Sequence, residues 1–214
     1  MNDAELKCID HQKVCNLYKK GQVLFHEGNR PMGVYCVKQG KIKIFKTSSD
    51  GQEQIVRLAA PGDLVGYRAF LGDEHYTCTA STLEDAVVCF VDRNSFQKVL
   101  HENQKLSHNL LALMSQELRE AENMIRDMAQ KSVRERLAEA IILLKNKFGM
   151  DPLEPDCLAA KLSREEWASF VGTATETAIR LLSELKSDAI IDTQGKKVRI
   201  LNAKKLIEIA NLMD

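Results

Sequence analysis

In the first half of the chain, apolar and polar positions alternate over short runs bounded by glycine. In the second half, apolar positions recur at steps of three and four. Val23 and Phe25 share one face of GQVLFHEG, and VYCV (Val34 to Val37) leads into the turn Lys38-Gln39-Gly40-Lys41. Ile42 and Ile44 then alternate with Lys41 and Lys43. Asp50-Gly51 is a hairpin signal between IKIFKT and QIVRL, Pro61-Gly62-Asp63 marks a corner, and two further strands from Thr77 to Leu83 and Ala86 to Val91 meet at Glu84-Asp85. Eight of the eleven glycines fall between Gly21 and Gly72, where turns are needed. Short antiparallel strands at this spacing predict a jelly-roll-like sandwich or barrel.

From Asn94 to Phe148 there is neither glycine nor proline. Leu111, Met114, Leu118, Ala121, Ile125 and Met128 form an a/d seam over more than two heptads, while Leu110, Leu113 and Met124 add a second apolar edge beside it. One edge can cover the sandwich and the other can meet a second copy of the chain, although a lone amphipathic helix would also carry a stripe. The rhythm pauses at Ala129-Gln130-Lys131-Ser132. A new helix with Val133, Leu137, Ile141, Leu144 and Phe148 on its buried face then runs to Gly149, followed by a loop from Asp151 to Asp156.

The stretch SREEWASFVGTATETAIRLLSELK (Ser163 to Lys186) reads as two short helices. Ser163 precedes Glu166 by three residues and Thr173 precedes Glu176 by three, so each helix has a capping-box start; Gly172 lies between them. This is a helix-turn-helix layout, whose second helix can enter a DNA major groove, although helix pairs joined by glycine also occur in domains with no DNA role. AIIDTQGKKVRIL then reads as a hairpin around Gln194-Gly195-Lys196, which is a wing, and residues from Ala203 to Met213 read as a terminal helix.

Composition adds limits. The chain has 214 residues, a formal net charge of zero and 44% hydrophobic residues, which suits one large or two small globular domains. No secretory leader pattern and no apolar run of bilayer length is present, so a cytoplasmic protein without a membrane partner is expected. Whole-chain charge gives no argument for nucleic acid. From Arg180 to Lys205, however, seven basic residues face three acidic ones, a net of four positive charges beside the second helix. Six cysteines (Cys8, Cys15, Cys36, Cys78, Cys89, Cys157) are scattered without CxxC spacing; most read as small buried hydrophobes, with a redox-sensing thiol as the alternative, and nothing in the spacing reads as a zinc site or a disulfide framework. His11, His26 and His75 could each supply a single haem ligand but form no cluster. No nucleophile–base pattern, metal motif or phosphate-cradling loop supports an enzyme.

GQVLFHEG, YCVKQGKIKIF, PGDLVG, SVRERLAEAI and VGTATETAIRLL, in this order, resemble the Crp/Fnr family of bacterial transcription regulators over nearly the whole chain. The resemblance implies an α+β fold. An antiparallel β-roll sensor domain resembling a cyclic-nucleotide-binding one spans residues 1–103, a dimerisation helix 104–130, and a winged helix-turn-helix 131–214. It implies a homodimer on two-fold symmetric double-stranded DNA, acting with RNA polymerase, whose DNA affinity is modulated through the β-roll. A small-molecule-binding signalling module that does not act through DNA is the alternative, because the β-roll is shared with channels and kinases that lack the wing.

By resemblance, Glu176 and Arg180 match the family's base-reading pair. Arginine can donate twice to guanine, and glutamate can accept from cytosine N4, so the half-site would contain G·C pairs. Thr175 is a further base contact, and Ser163, Arg164, Thr177, Gln194 and Lys196 match positions that touch phosphates. The sensor lacks the family's cyclic AMP signature. Tyr67 stands where the glutamate would be, residues 74–80 (EHYTCTA) hold no arginine, and Ala121-Glu122 replaces the Thr-Ser pair on the long helix. Cyclic AMP is therefore not expected, no cofactor is predicted, and the effector is unknown. Tyr67 and Arg68 are left as a candidate effector pocket, with Asp73 or Glu74 as the nearest carboxylates to pair with Arg68. Nor is there the N-terminal cysteine cluster that holds iron–sulfur in oxygen-sensing relatives; Cys8 and Cys15 are only two.

Overall fold

The computed structural model describes residues 13–211. Cys8, His11 and the final residues of the expected terminal helix lie outside them. The described chain forms two compact units. One holds the residues up to Ser48 with Val56–Glu122, and the other holds Ser49–Ile55 with the residues from Asn123 onward.

In the first unit, β1 (Lys13–Tyr18), β8 (Ala86–Asp92), β3 (Gly33–Gln39) and β6 (Leu64–Val65) form one four-stranded sheet in that order. The other sheet runs β2 (Val23–Phe25), β7 (Thr79–Thr82), β4 (Ile42–Thr47) and β5 (Glu53–Ala59). Every pairing is antiparallel among those with a resolved register, which is the expected double-sheet roll. The alternation in IKIFKT has the predicted result, since Ile42 and Ile44 are buried with Val37, Val65 and Val88 between the sheets. Gly40 turns β3 into β4 with φ +89°, and a Cβ there would meet Ala86 Cβ at 2.6 Å, so both conformation and space demand glycine.

A second cluster lies on the outer face of the first sheet. Val34, Cys36 and Val91 pack there against Tyr67 and Phe70 of α1 (Tyr67–Leu71), Phe96 and Val99 of α2 (Arg93–Glu102), and Leu106 and Leu110 of α3 (Gln104–Gln130). Asn103 separates α2 from α3. Its side chain accepts from Leu106 N–H, and so caps α3.

Strand β1, which the hydrophobic pattern did not announce, brings a correction for the cysteines. Cys15 stands opposite Cys89 in the β1–β8 register, and the two form a disulfide although 74 residues separate them. Sequence spacing cannot show such a pair; only the pairing of a terminal strand with β8 creates it.

The second unit contains α4 (Val133–Phe148), α5 (Arg164–Val171), α6 (Thr175–Ser187) and α7 (Ala203–Ile209), with the sheet β11 (Ile191–Gln194), β12 (Lys197–Ile200), β10 (Glu154–Leu158), β9 (Met150–Asp151). The predicted loop from Asp151 to Asp156 is instead a hairpin. Pro155 concealed it, because proline cannot donate within a ladder. It is accommodated here because the β9–β10 register shifts between Glu154 and Leu158.

Candidate DNA-reading face and sensor centre

Helix α5 starts as its sequence predicts. Ser163 Oγ accepts from Glu166 N–H at 3.1 Å, and Ser163 N–H donates to Glu166 Oε2 at 2.6 Å. Trp167, Ala168 and Val171 of α5 and Ala178, Leu181, Leu182 and Leu185 of α6 are all buried, and the two helices pack against each other. The turn between them departs from the expected second capping box. Gly172 takes a left-handed conformation (φ +68°, ψ +59°), and Thr173 N–H donates back to Ala168 O at 3.0 Å. That closure draws Thr173 into the end of α5, so α6 is capped by Ala174, without a side-chain hydrogen bond.

Burying Ala178, Leu181, Leu182 and Leu185 turns the opposite face of α6 outward. Glu176, Ile179, Arg180 and Ser183 are all exposed on it, at the i, i+3, i+4, i+7 spacing of one helical surface. Thr175 and Thr177, in the first turn, are half-buried. Arg180 is bonded to Glu184 one turn further on rather than to Glu176. Glu184 also accepts from Arg134 Nη1 of α4 at 3.1 Å, and Arg134 Nη2 reaches Asp188 at 2.6 Å. The Arg180 guanidinium is thus held along the outer face by an exposed pair that is worth little in water and easily exchanged.

The wing is a two-residue hairpin in which Gln194 pairs with Lys197 and the exposed Gly195 and Lys196 form the tip. Lys186 anchors its base, donating to Thr193 O at 3.0 Å and pairing with Asp192 at 2.7 Å. That contact holds the Asp192 carboxyl below the usual range. Lys197 is paired with Glu154. Of the five expected phosphate contacts, Gln194 and Lys196 are exposed at the wing. Ser163, Arg164 and Thr177 are half-buried, and Arg164 Nη1 is enclosed without a hydrogen-bond partner among the described residues.

Arg136 of α4 was not anticipated. Its Nε donates to Val171 O at 2.9 Å, Nη2 to Gly172 O at 3.2 Å and Nη1 to Lys131 O at 2.8 Å. One guanidinium therefore satisfies the carbonyl end of α5 and the α3–α4 junction together. Ser132 caps α4 with a complete capping box to Glu135.

The sensor unit holds a second unanticipated centre. Glu117 of α3 is only 7% exposed. Its carboxylate accepts from Arg57 of β5, from Tyr67 OH at 2.6 Å and from Arg68 Nε at 2.6 Å, while Arg57 Nη2 also reaches Leu64 O at 3.1 Å. Burial, then the hydrogen bond to Glu117, pushes the Tyr67 phenol up to about 12. One reading is corrected here: Arg68 pairs with Glu117 and not with Asp73 or Glu74, and Asp73 is taken by Arg93. Tyr67 and Arg68, the pair expected at an effector pocket, both contact Glu117, a carboxylate of the chain itself. A sequence signal for Glu117 did exist: Leu106, Leu110, Leu113 and Glu117 follow steps of four, three and four, which places a charge on the inward edge of α3.

The seam on the same helix points outward. Leu111, Leu118 and Ile125 are 66%, 62% and 72% exposed, Met114 and Ala121 are exposed and Met128 is half-buried. Among the described residues no group of three His, Cys, Asp or Glu side chains is placed to hold a metal ion.

The chain matches two family models, a cyclic nucleotide-binding domain over residues 16–103 and a Crp-like helix-turn-helix domain over residues 135–209. It is 30% identical to the fumarate and nitrate reduction regulatory protein of Vibrio cholerae, covering 99% of this chain and 85% of that protein. It is 29% identical to the transcriptional activator protein FnrA of Stutzerimonas stutzeri, covering 90% and 78%. Among solved structures, FixK2 from Bradyrhizobium japonicum superposes with a TM-score of 0.81 at 25% identity, covering 92% of this chain and 96% of that one. A c-di-GMP-responsive global regulator, CLP of Xanthomonas campestris, shares the fold at a TM-score of 0.79 and 18% identity, covering 93% and 99%.

Proposed function

The chain belongs to the Crp/Fnr family of transcription regulators, which are not enzymes, and we propose that it acts as a cytoplasmic homodimer on a two-fold symmetric double-stranded DNA site. Helix α6 enters the major groove, where Arg180 exchanges Glu184 for a guanine edge, Glu176 accepts from a cytosine amino group and Thr175 adds a contact. Ser163, Thr177, Gln194 and Lys196 hold phosphates, and Arg164 supports the same surface. The observation that carries this reading is the outward row Glu176, Ile179, Arg180 and Ser183 on α6, in a unit that also holds a lysine-tipped wing.

Dimerisation is assigned to the exposed seam of α3. Leu111, Leu118 and Ile125 on one surface are a costly exposure for a single chain, and a second copy of the same helix buries them as a coiled coil. Light scattering on Leu118→Glu tests it: the variant should be monomeric, and an unchanged dimer mass would remove the assignment. The bound regulator then acts on transcription through RNA polymerase.

The base-reading assignment is tested by binding to fragments selected from the source genome. Arg180→Ala should lose about 1–3 kcal/mol of discrimination at one base pair. Lys196→Ala should weaken all sequences alike and reduce the salt slope by about one unit. Unchanged discrimination in Arg180→Ala would show that another residue reads the site.

A further inference from the structure

We propose that Cys15 and Cys89 form a reversible dithiol–disulfide site on the sensor unit, set by exchange with a low-molecular-weight thiol–disulfide couple. Strand register carries the argument. Cys15 of β1 lies opposite Cys89 of β8, and Cys89 lies opposite Cys36 of β3. Directly opposed residues in antiparallel strands face the same side, so the three cysteines form a row across one sheet. A residue in a central antiparallel strand makes a narrow pair with one neighbour and a wide pair with the other, because its N–H and C=O both point one way. Cys89 makes its narrow pair with Cys15, at a Cα separation of 3.9 Å, and the bond forms there. Cys36, on the wide side, keeps a free thiol.

The three differ in access. Cys15 is exposed on the outermost strand of the sheet, whereas Cys89 and Cys36 are buried. Burial pushes the Cys36 thiol up, which keeps it protonated and a poor nucleophile. Exchange therefore begins at Cys15. In the reduced protein the Cys15 thiolate attacks one sulfur of a small disulfide RSSR, giving a mixed disulfide and releasing RS⁻, which takes up the proton Cys15 gave up. The Cys89 thiolate then attacks Cys15 Sγ and breaks its bond to the small thiol; the second RS⁻ leaves and takes the proton of Cys89. Two protein thiols have lost two electrons, and RSSR has become two RSH; excess RSH reverses both steps.

The inference rests on the regulator reading. A protein working on the chromosome meets a reducing pool, in which disulfides are transient and sensing rather than structural. The row also has a route into the fold. Cys36 packs in the cluster that seats Leu106 and Leu110 of α3, and β8 runs into α2 through the Asp92 cap, which accepts from Asn94 and Ser95 N–H. Tying β1 to β8 therefore acts on the layer under the long helix.

Full-length protein equilibrated over a range of reduced-to-oxidised glutathione ratios, then quenched and alkylated, tests this by peptide mass spectrometry. In parallel, its affinity for selected promoter fragments is measured in both end states. A linked Cys15–Cys89 peptide should rise and fall reversibly with the ratio, vanish in Cys15→Ser and Cys89→Ser, and persist in Cys36→Ala. DNA affinity should differ about fivefold or more between the end states and become insensitive to the ratio in Cys15→Ser. Absence of the linked peptide at every ratio, a Cys36–Cys89 link in its place, or a bond reduced only after unfolding overturns the exchange site. Equal affinity in both states overturns its role as a signal. If DNA is bound by neither form while the peptide titrates, the exchange chemistry stands and the regulator reading falls instead.

Discussion

Arg136 Nε lies 2.9 Å from the carbonyl oxygen of Val171, and this bond joins the first helix of the DNA-binding domain to the carbonyl end of the helix-turn-helix turn. The same guanidinium also holds Gly172 O and Lys131 O. Replacing it with alanine leaves three backbone acceptors to find other donors. Arg136→Ala should cost about 2–4 kcal/mol, a fall of roughly 8–30 °C in the melting of the C-terminal unit. Arg136→Lys should recover only a minor part, because an ammonium cannot reproduce the planar fork. Calorimetry of both variants checks it, and equal melting of the alanine and wild-type proteins would falsify the clamp.

Glu117 is the only carboxylate seen contacting Arg57, Tyr67 and Arg68 among the described residues. Removing its charge leaves two guanidinium groups facing each other across a largely buried site. Glu117→Gln should destabilise the sensor unit by about 2–4 kcal/mol by urea unfolding. Arg68→Ala should cost less, since Arg68 is 54% exposed while Arg57 is 19% exposed. The reverse order would mean that Arg68 carries the centre.

The Tyr67 phenol, raised to about 12, makes an alkaline prediction whose sign is fixed. Its folded value lies above the unfolded value near 10, so the stabilisation is complete below about pH 10 and is lost as pH rises towards 12. Tyr67→Phe should therefore show a shallower loss of stability between those limits, by about 2 kcal/mol, than the wild type. Tyr76 is also raised by burial, so the difference between the two proteins, and not either profile alone, is the measurement. Parallel profiles would remove Tyr67 from the account.

Helix α6 begins at a cap without a side-chain acceptor. Ala174→Ser supplies an oxygen to the orphan N–H groups of its first turn and should stabilise the domain by about 1 kcal/mol in chemical unfolding. No gain would indicate that those groups are already satisfied.

Much of the architecture followed from local pattern. The two-residue alternation gave the strands of the roll, the three- and four-residue steps gave the outward seam of α3, and Ser163 with Glu166 gave the start of α5. The α6 face carrying Glu176 and Arg180 was legible for the same reason: helical periodicity fixes which residues share a surface before any packing is known. The second capping box failed because the Gly172 turn, closed through Ala168, drew Thr173 away from it. The β9–β10 hairpin was hidden by Pro155, whose local meaning is to interrupt a strand.

Contacts between residues distant in sequence were decided by tertiary structure alone. Cys15 meets Cys89 because β1 pairs with β8. Glu117 meets Arg57 and Arg68 because the inward edge of α3 packs on the roll, and Arg136 meets Val171 because α4 lies against the end of α5. Local sequence encodes periodicity, caps and turns, since these depend on neighbours a few residues apart. A disulfide, a buried ion cluster and a clamp on carbonyl groups depend instead on which elements are brought side by side, and that is settled only when the apolar faces are buried together.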